Sequence, residues 1–294
     1  MHLPDFDFYA PESVAEACEL MTRYQDEARV INGGTDILPR MKNQVMAPAI
    51  LVSIKRLPGM KRIEYIPGKG IVIGAGVTLN EIALSEVIES KYHSICHAAA
   101  HMAANQIRNI GTLGGNIVAS IPSADMPPIL IALGATAKIA GPTGERVMPL
   151  EDVFTGPGKT VLAKNEILTE VFVPDGKMTG SAYHKFALRR AGALAVVGVA
   201  VAVEIEKGVI KDARVVLGAV APVPLRAVKV DAFLKGKPAT DEVFAEAGEI
   251  AYDECRPITD FRASAEYRRE LVKVYTKRCL KKVVTDGHKA VVGG

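Results

Sequence analysis

An α+β chain is expected from three features of the sequence. Short apolar runs of strand type alternate with helix-capping signals over the first 174 residues, two long β-prone runs follow at 196–205 and 213–220, and three helical segments close the chain. At 294 residues, 49% hydrophobic and 23% charged, the chain is long enough and apolar enough to fill two domains. The division falls at 174/175, with the first domain in two parts, about 1–55 and 56–174, and the second running over 175–294.

In chain order, residues 5–9 alternate Asp, Phe, Asp, Phe, Tyr as a short strand does. Ser13-Val14-Ala15-Glu16 reads as a capping box that opens a helix through about Met21. Val30-Ile31 and Ile50-Leu51-Val52 are strand-type runs, and Gly70-Ile71-Val72-Ile73-Gly74 gives another, followed by a second capping box at Thr78-Leu79-Asn80-Glu81. The alanine-rich stretch from Tyr92 to about Asn105 is helical by propensity. Pro122, Pro127 and Pro128 break the next region. A short buried helix over 129–133, a strand over 135–139 and an alternating strand over 167–174 complete the first domain.

The runs 196–205 and 213–220 flank the turn Lys207-Gly208 and read as an antiparallel hairpin. Helices are expected at about 228–235, 240–253 and 264–284; in the last, Tyr267, Leu271, Val274 and Tyr275 recur at helical spacing and mark a core face. A sheet covered by helices on one side buries both kinds of element.

Two glycine pairs carry the functional signal. Val30-Ile31-Asn32-Gly33-Gly34-Thr35-Asp36-Ile37-Leu38 and Ile107-Arg108-Asn109-Ile110-Gly111-Thr112-Leu113-Gly114-Gly115-Asn116 each place a Gly-Gly pair beside apolar residues with Thr, Asn or Asp next to it. Such a pair removes Cβ atoms where backbone N–H groups close on an anion. A Gly-Gly pair also serves ordinary turns. Two of them, about eighty residues apart, are suited to grip a diphosphate from two sides.

Together these loops resemble the two FAD loops of the flavoprotein subunits of molybdenum hydroxylases, the family of the carbon monoxide dehydrogenase medium subunit and the xanthine dehydrogenase flavin segment. The resemblance runs from Phe8-Tyr9-Ala10-Pro11-Glu12-Ser13 to Asp260-Phe261-Arg262-Ala263-Ser264-Ala265-Glu266-Tyr267-Arg268-Arg269. It includes Pro122-Ser123-Ala124-Asp125-Met126-Pro127-Pro128 and Tyr183-His184-Lys185-Phe186. Asn32 stands where many members have alanine. The implied fold is a two-part FAD-binding domain of the PCMH type followed by a C-terminal domain of antiparallel sheet covered by helices.

By this resemblance Asn32, Gly33, Gly34, Thr35, Asp36 and Ile37, with Thr112, Gly114, Gly115 and Asn116, hold the FAD diphosphate and nearby ribose. A valine at Gly114 or Gly115 would then fill the space meant for phosphate and strain a turn that calls for positive φ. Asp125 matches an acidic residue that accepts a hydrogen bond from a hydroxyl of the cofactor; a turn cap before Pro127 is the other reading. Lys185 matches a basic residue beside the flavin ring, where a cation favours negative charge on the reduced ring, and is otherwise an exposed strand lysine. Leu168 matches a residue near the isoalloxazine, in a context that makes it core in any case.

The remaining motifs point elsewhere. His97 and His101 stand at i and i+4, but the glutamate of the zinc-protease pattern is absent. Gly156-Pro157-Gly158-Lys159-Thr160 ends like a phosphate-binding Walker loop, yet valine occupies position 153 and a proline sits where a cradling N–H is wanted, so it reads as a connecting loop. Cys18, Cys96, Cys255 and Cys279 are too scattered for an iron–sulfur cluster and read as buried thiols. A net charge of +3 does not predict nucleic-acid binding; the basic run Lys277, Arg278, Lys281 and Lys282 reads as a solvated helix face. No segment suggests a membrane span or a secretory signal, which makes a cytoplasmic protein the expectation.

With no catalytic residue or metal ligand of its own, the chain is expected to be the flavin-bearing link of a larger enzyme. The resemblance implies a small subunit with [2Fe–2S] clusters and a large subunit with molybdopterin, assembled as a dimer of heterotrimers, with electrons leaving FAD for an external acceptor. A stand-alone flavin oxidase and a non-catalytic FAD or nucleotide-binding scaffold are the alternatives.

Overall fold

The computed structural model describes residues 2–176 and 178–286. Its first part holds β1 (Asp7–Tyr9), α1 (Val14–Tyr24), β2 (Ala28–Ile31), α2 (Ile37–Lys42) and β3 (Ile50–Ser53). The strands form a parallel sheet in the order β1-β3-β2. All four residues of β3 are buried, as its unbroken apolar run requires for a central parallel strand. Ser13 caps α1 by accepting the N–H of Glu16 at 3.1 Å. The expected box is only half made, because the Glu16 carboxylate accepts the N–H of Glu12 rather than that of Ser13.

The next part contains β4 (Ile63–Ile66), β5 (Gly70–Gly74), α3 (Leu79–Ala83), α4 (Glu86–Ala100), α5 (Asn105–Arg108), α6 (Leu113–Val118) and α7 (Met126–Ala132). After these come β6 (Thr136–Gly141), β7 (Gly144–Pro149), β8 (Phe154–Gly156), β9 (Lys159–Thr160) and β10 (Ile167–Pro174). A five-stranded antiparallel sheet runs β4-β5-β10-β6-β7. The box at Thr78 and Glu81 closes in both directions. Helix α4 starts earlier than expected, at a Ser85 cap, and its backbone breaks at Tyr92 (φ −138°, ψ 52°), the residue at which propensity places its beginning. It ends at Ala100, because Ala103 takes a positive φ of 41° and separates α5. Pro127 and Pro128 do not break structure; they lie in the first turn of α7, where no intrahelical N–H is lost.

The last part holds β11 (Gly180–Phe186), β12 (Val197–Glu206), β13 (Val209–Gly218), β14 (Leu225–Arg226), α8 (Val228–Leu234), α9 (Asp241–Glu254) and α10 (Ala265–Asp286). The sheet order is β11-β12-β13-β14, all antiparallel. The hairpin turn is Lys207-Gly208 with φ of 50° and 78°, the left-handed pair that matches the twist of two strands. On α10, Leu271 and Tyr275 face the core as expected, but Tyr267 and Val274 are 48% and 38% exposed. Arg268, Val272, Thr276 and Cys279 complete the inward stripe instead.

Helices α8–α10 cover one face of this sheet, as expected, and the other face packs against the preceding part. Alternate residues Val199, Val201 and Val203 pack with α8, α9 and α10, whereas Ala200 and Ala202 pack with the core that includes α7. Gly198 and Gly218 are paired where α7 crosses, and a Cβ on Gly218 would stand 2.9 Å from Pro128 Cγ. That close approach needs glycine and places the first turn of α7 against β12 and β13.

Candidate functional site

The two glycine loops lie against each other. A Cβ on Gly33 would stand 2.0 Å from the carbonyl oxygen of Ile110, so only glycine lets the first loop pass the second at this point. A Cβ on Gly111 would stand 3.5 Å from Thr35 Oγ1. Gly34 has φ of +74°. Among the described residues, the N–H groups of Gly33, Gly34 and Thr35 donate to no protein acceptor, while Leu38 N–H closes the turn onto Gly34 O at 3.1 Å. Asp36 sits at the head of α2 without capping it and pairs instead with Arg40 at 3.4 Å; Ile37 is the first residue of that helix.

The second pair adopts a different conformation from the one expected. Gly114 and Gly115 lie inside α6 and have no positive φ, because Thr112 opens that helix by accepting the N–H of Gly115 on its hydroxyl at 3.1 Å. Gly114 serves close packing: its Cβ would meet Ala75 Cβ at 2.7 Å, and its N–H donates to Ala75 O. Gly115 is exposed, and its Cβ would meet only Thr112 Oγ1, at 3.0 Å.

Two side-chain groups in these loops are buried with no partner, Asn32 Nδ2 and Asn116 Oδ1. Burying an amide group without a hydrogen bond costs roughly 1–3 kcal/mol, so each is suited to receive a polar ligand atom. Asn32 and Thr112 also line a cleft of about 660 Å³ whose walls include Lys55, Lys61, Gly76 and Asn80, none of them marked by a sequence motif for binding. The signal for the lysines lies only in their following β3 and preceding β4, which is visible once the sheets are assembled.

Asp125 and Lys185 come together at a second place. Lys185 Nζ donates to Asp125 Oδ2 at 2.9 Å and to His101 O at 3.2 Å, with the two charged side chains 7% and 6% exposed. Tyr183 donates its hydroxyl to Asp125 Oδ1 at 2.7 Å. Asp125 makes no cap to α7, which excludes the turn-cap reading, and Lys185 is not an exposed strand lysine. Burial pushes the Asp125 carboxyl above the ordinary carboxylate range, against the pull of the Lys185 ammonium and the Tyr183 hydroxyl. Tyr183 itself is pushed well above its ordinary value by burial and by the neighbouring carboxylate. Residues 183 and 185 alternate on one face of β11, a spacing that marks Tyr183 as part of the same group.

Leu168 is buried on β10 opposite Ile139. The adjoining Thr169 O accepts Ala75 N–H, and Ala75 O accepts Gly114 N–H, which links β10 directly to the second loop.

Residues 4–176 match the FAD binding domain in molybdopterin dehydrogenase, and residues 181–283 match the CO dehydrogenase flavoprotein C-terminal domain. The chain belongs to the molybdopterin dehydrogenase flavoprotein family. It is 34% identical to the carbon monoxide dehydrogenase medium chain of Hydrogenophaga pseudoflava over 94% of its own length and 96% of that chain. It is 33% identical to the glyceraldehyde dehydrogenase medium chain of Sulfolobus acidocaldarius, over 96% of this chain and all of that one. The structure of carbon monoxide dehydrogenase from Hydrogenophaga pseudoflava lacking the Mo-pyranopterin moiety of its cofactor superposes with a TM-score of 0.93 at 33% identity, covering 97% of this chain and 99% of that one.

This member of the family is therefore the flavoprotein component of a molybdenum-hydroxylase-type oxidoreductase, with an FAD-binding domain and an α+β fold, as the two loops imply. The Walker-like segment is a hairpin: β8 pairs with β9 across Pro157-Gly158, with φ of 68° at Gly158, so it is a connecting turn. His97 and His101 lie with ring centroids 4.1 Å apart and planes tilted by 37°, and among the described residues no group of three or more His, Cys, Asp or Glu is arranged to hold a metal ion. All four cysteines are buried free thiols. No described helix is long and apolar enough to cross a membrane.

Proposed function

We propose that this chain holds one FAD across its two glycine loops and passes electrons from the [2Fe–2S] clusters of a small partner subunit to an external acceptor. Oxidation of substrate then occurs on a large molybdopterin subunit, in a cytoplasmic dimer of heterotrimers. The observation that carries the cofactor site is the pair of orphaned groups, Asn32 Nδ2 and Asn116 Oδ1, one on each loop. A donor and an acceptor buried without partners fit a ligand rich in phosphate and hydroxyl groups.

FAD bound here supplies the conversion between paired and single electron transfers, while the protein positions and tunes it. In this reading the N–H groups of Gly33, Gly34 and Thr35, with Asp36 and Ile37 behind them, and Thr112, Gly114, Gly115 and Asn116 hold the diphosphate and ribose. Lys185 and Leu168 stand toward the ring, and Asp125 toward a hydroxyl of the cofactor. Lys185 uses two of its three N–H bonds on Asp125 and His101, which leaves one for the cofactor. The same reading divides the chain into a FAD-binding domain of residues 1–174, in parts of about 1–55 and 56–174, and a C-terminal domain of residues 175–294.

Acid release of cofactor from the purified chain should yield intact FAD at about one per chain; FMN, or no flavin after reconstitution, would count against the loop assignment. Co-purification from the native source should bring iron and molybdenum subunits with it, and substrate should bleach the flavin only in that complex. Substrate turnover by a flavin-loaded homo-oligomer free of iron and molybdenum would replace this reading with a stand-alone oxidase.

A further inference from the structure

The Asp125–Lys185 pair is held by a third residue, Tyr183, whose ring is buried in the core and whose hydroxyl meets the carboxylate. The Tyr183 hydroxyl reaches Asp125 Oδ1 at 2.7 Å, and a Cβ on Gly198, across the sheet, would stand 3.0 Å from that hydroxyl and 3.4 Å from the ring. The absence of a side chain at Gly198 leaves the tyrosine room to point at Asp125. With Oδ1 taken by Tyr183, Asp125 meets Lys185 through Oδ2.

We propose that Tyr183 is a positioning residue that sets how far Asp125 neutralises Lys185, and thereby how much positive charge Lys185 presents to the flavin. This rests on the reading above that Lys185 stands at the ring. By donating to Oδ1, Tyr183 draws off part of the carboxylate's negative charge and keeps Asp125 from turning both oxygens onto the ammonium. Lys185 then keeps an N–H and a net field for the negative charge that arrives on the ring with electrons. Without the hydroxyl, the Asp125 carboxylate is free to turn more fully onto the Lys185 ammonium that touches it. The ring then loses part of its electrostatic support.

The test is the midpoint potential of the bound flavin in the full FAD-loaded chain, measured by equilibration with a redox dye, for wild type, Tyr183→Phe and Lys185→Gln. Flavin content and thermal melting are recorded for each. Lys185→Gln should shift the potential to more negative values, and Tyr183→Phe should shift it in the same direction by a smaller amount while retaining one FAD per chain. A merely structural tyrosine would change melting and leave the potential in place. An unshifted potential in Lys185→Gln refutes the placement of Lys185 at the ring. A shifted potential in Lys185→Gln with an unchanged or more positive one in Tyr183→Phe overturns the role of Tyr183 alone. Should Tyr183→Phe fail to fold, 3-fluorotyrosine at position 183, which keeps the ring and donates a stronger hydrogen bond to Asp125, is expected to shift the potential to more positive values, and an unchanged potential there overturns the role of Tyr183.

Discussion

Lys185 Nζ donates to the Asp125 carboxylate across 2.9 Å, joining residues sixty positions apart on β11 and at the entrance of α7. Both side chains are withdrawn from water, so each charge depends on the other. Replacing Lys185 with Met strands a buried carboxylate and should cost about 3–5 kcal/mol in urea denaturation. The double variant with Asp125→Asn should be destabilised by less than the sum of the two single changes. Additive costs in that cycle would show that the pair is not energetically coupled.

The orphaned groups on the loops predict an unusual separation of stability from binding. Asn116 Oδ1 and Asn32 Nδ2 have no protein partner to lose. Asn116→Ala and Asn32→Ala should therefore leave the melting of FAD-free protein close to wild type, or raise it slightly. They should also weaken FAD binding by roughly tenfold each, the worth of a hydrogen bond of about 1.4 kcal/mol. Titration of the FAD-free protein by flavin fluorescence, beside calorimetry, measures both. Unchanged affinity in both variants would remove these groups from the site.

The glycines separate in the same way. Gly114→Val drives a branched side chain into Ala75, and Gly33→Ala drives a methyl group into the Ile110 carbonyl, so both should lower stability as well as flavin content. Gly115→Ala meets only the Thr112 hydroxyl and should be tolerated far better in melting while still reducing flavin retention. Lys159→Ala, at the β8–β9 turn, should do neither.

Protonation gives a further check. Burial, reinforced by His101 and Lys282 nearby, lowers His97 to about 4, whereas an unfolded histidine titrates near 6.5. Between those values the unfolded chain binds more protons, so this residue's contribution to stability is full above about 6.5 and is lost as pH falls toward 4, by up to about 3 kcal/mol. Asp231, pushed up to about 6 by burial, has the opposite slope: its contribution is full below about 4 and is lost as pH rises through 6. The difference between wild type and His97→Gln cancels Asp231 and should fall with acidification from pH 6.5 to 4 in chemical denaturation. A flat difference would contradict the assignment.

Burial pushes the thiols of Cys96 and Cys279 up to about 12, and Cys18 and Cys255 are raised as well. None of the four should react with a thiol-specific reagent in the native state, and all four should react after unfolding. A fast-reacting thiol in native protein would argue against the core packing described here.

Much of the fold is legible in the sequence because it is local. The alternation of β10, the Lys207-Gly208 turn and the cap at Thr78 each act over a few residues. The loops are legible through their glycines, but Gly114 and Gly115 read as a strained turn, since only the contact with Ala75, absent from the local sequence, explains why a helix there carries glycine at 114. The Asp125–Lys185 contact and the second covered face of the β11–β14 sheet depend on how separate elements meet. Local periodicity carries no information about such meetings, which is also why Tyr267 and Val274 read as core residues and are exposed.

The central strand of the five-stranded sheet is also its last in sequence. β10 lies between β5, about a hundred residues earlier, and β6, and its residue Thr169 supplies the acceptor for Ala75, which in turn holds Gly114. A chain emerging from the ribosome therefore cannot complete this sheet until residues 167–174 have been made. Such non-local pairing is slow and leaves strand edges open in the meantime. Until then Ala75, whose carbonyl holds Gly114, has no acceptor for its own N–H, so the floor of the second glycine loop is among the last backbone groups of this sheet to be paired.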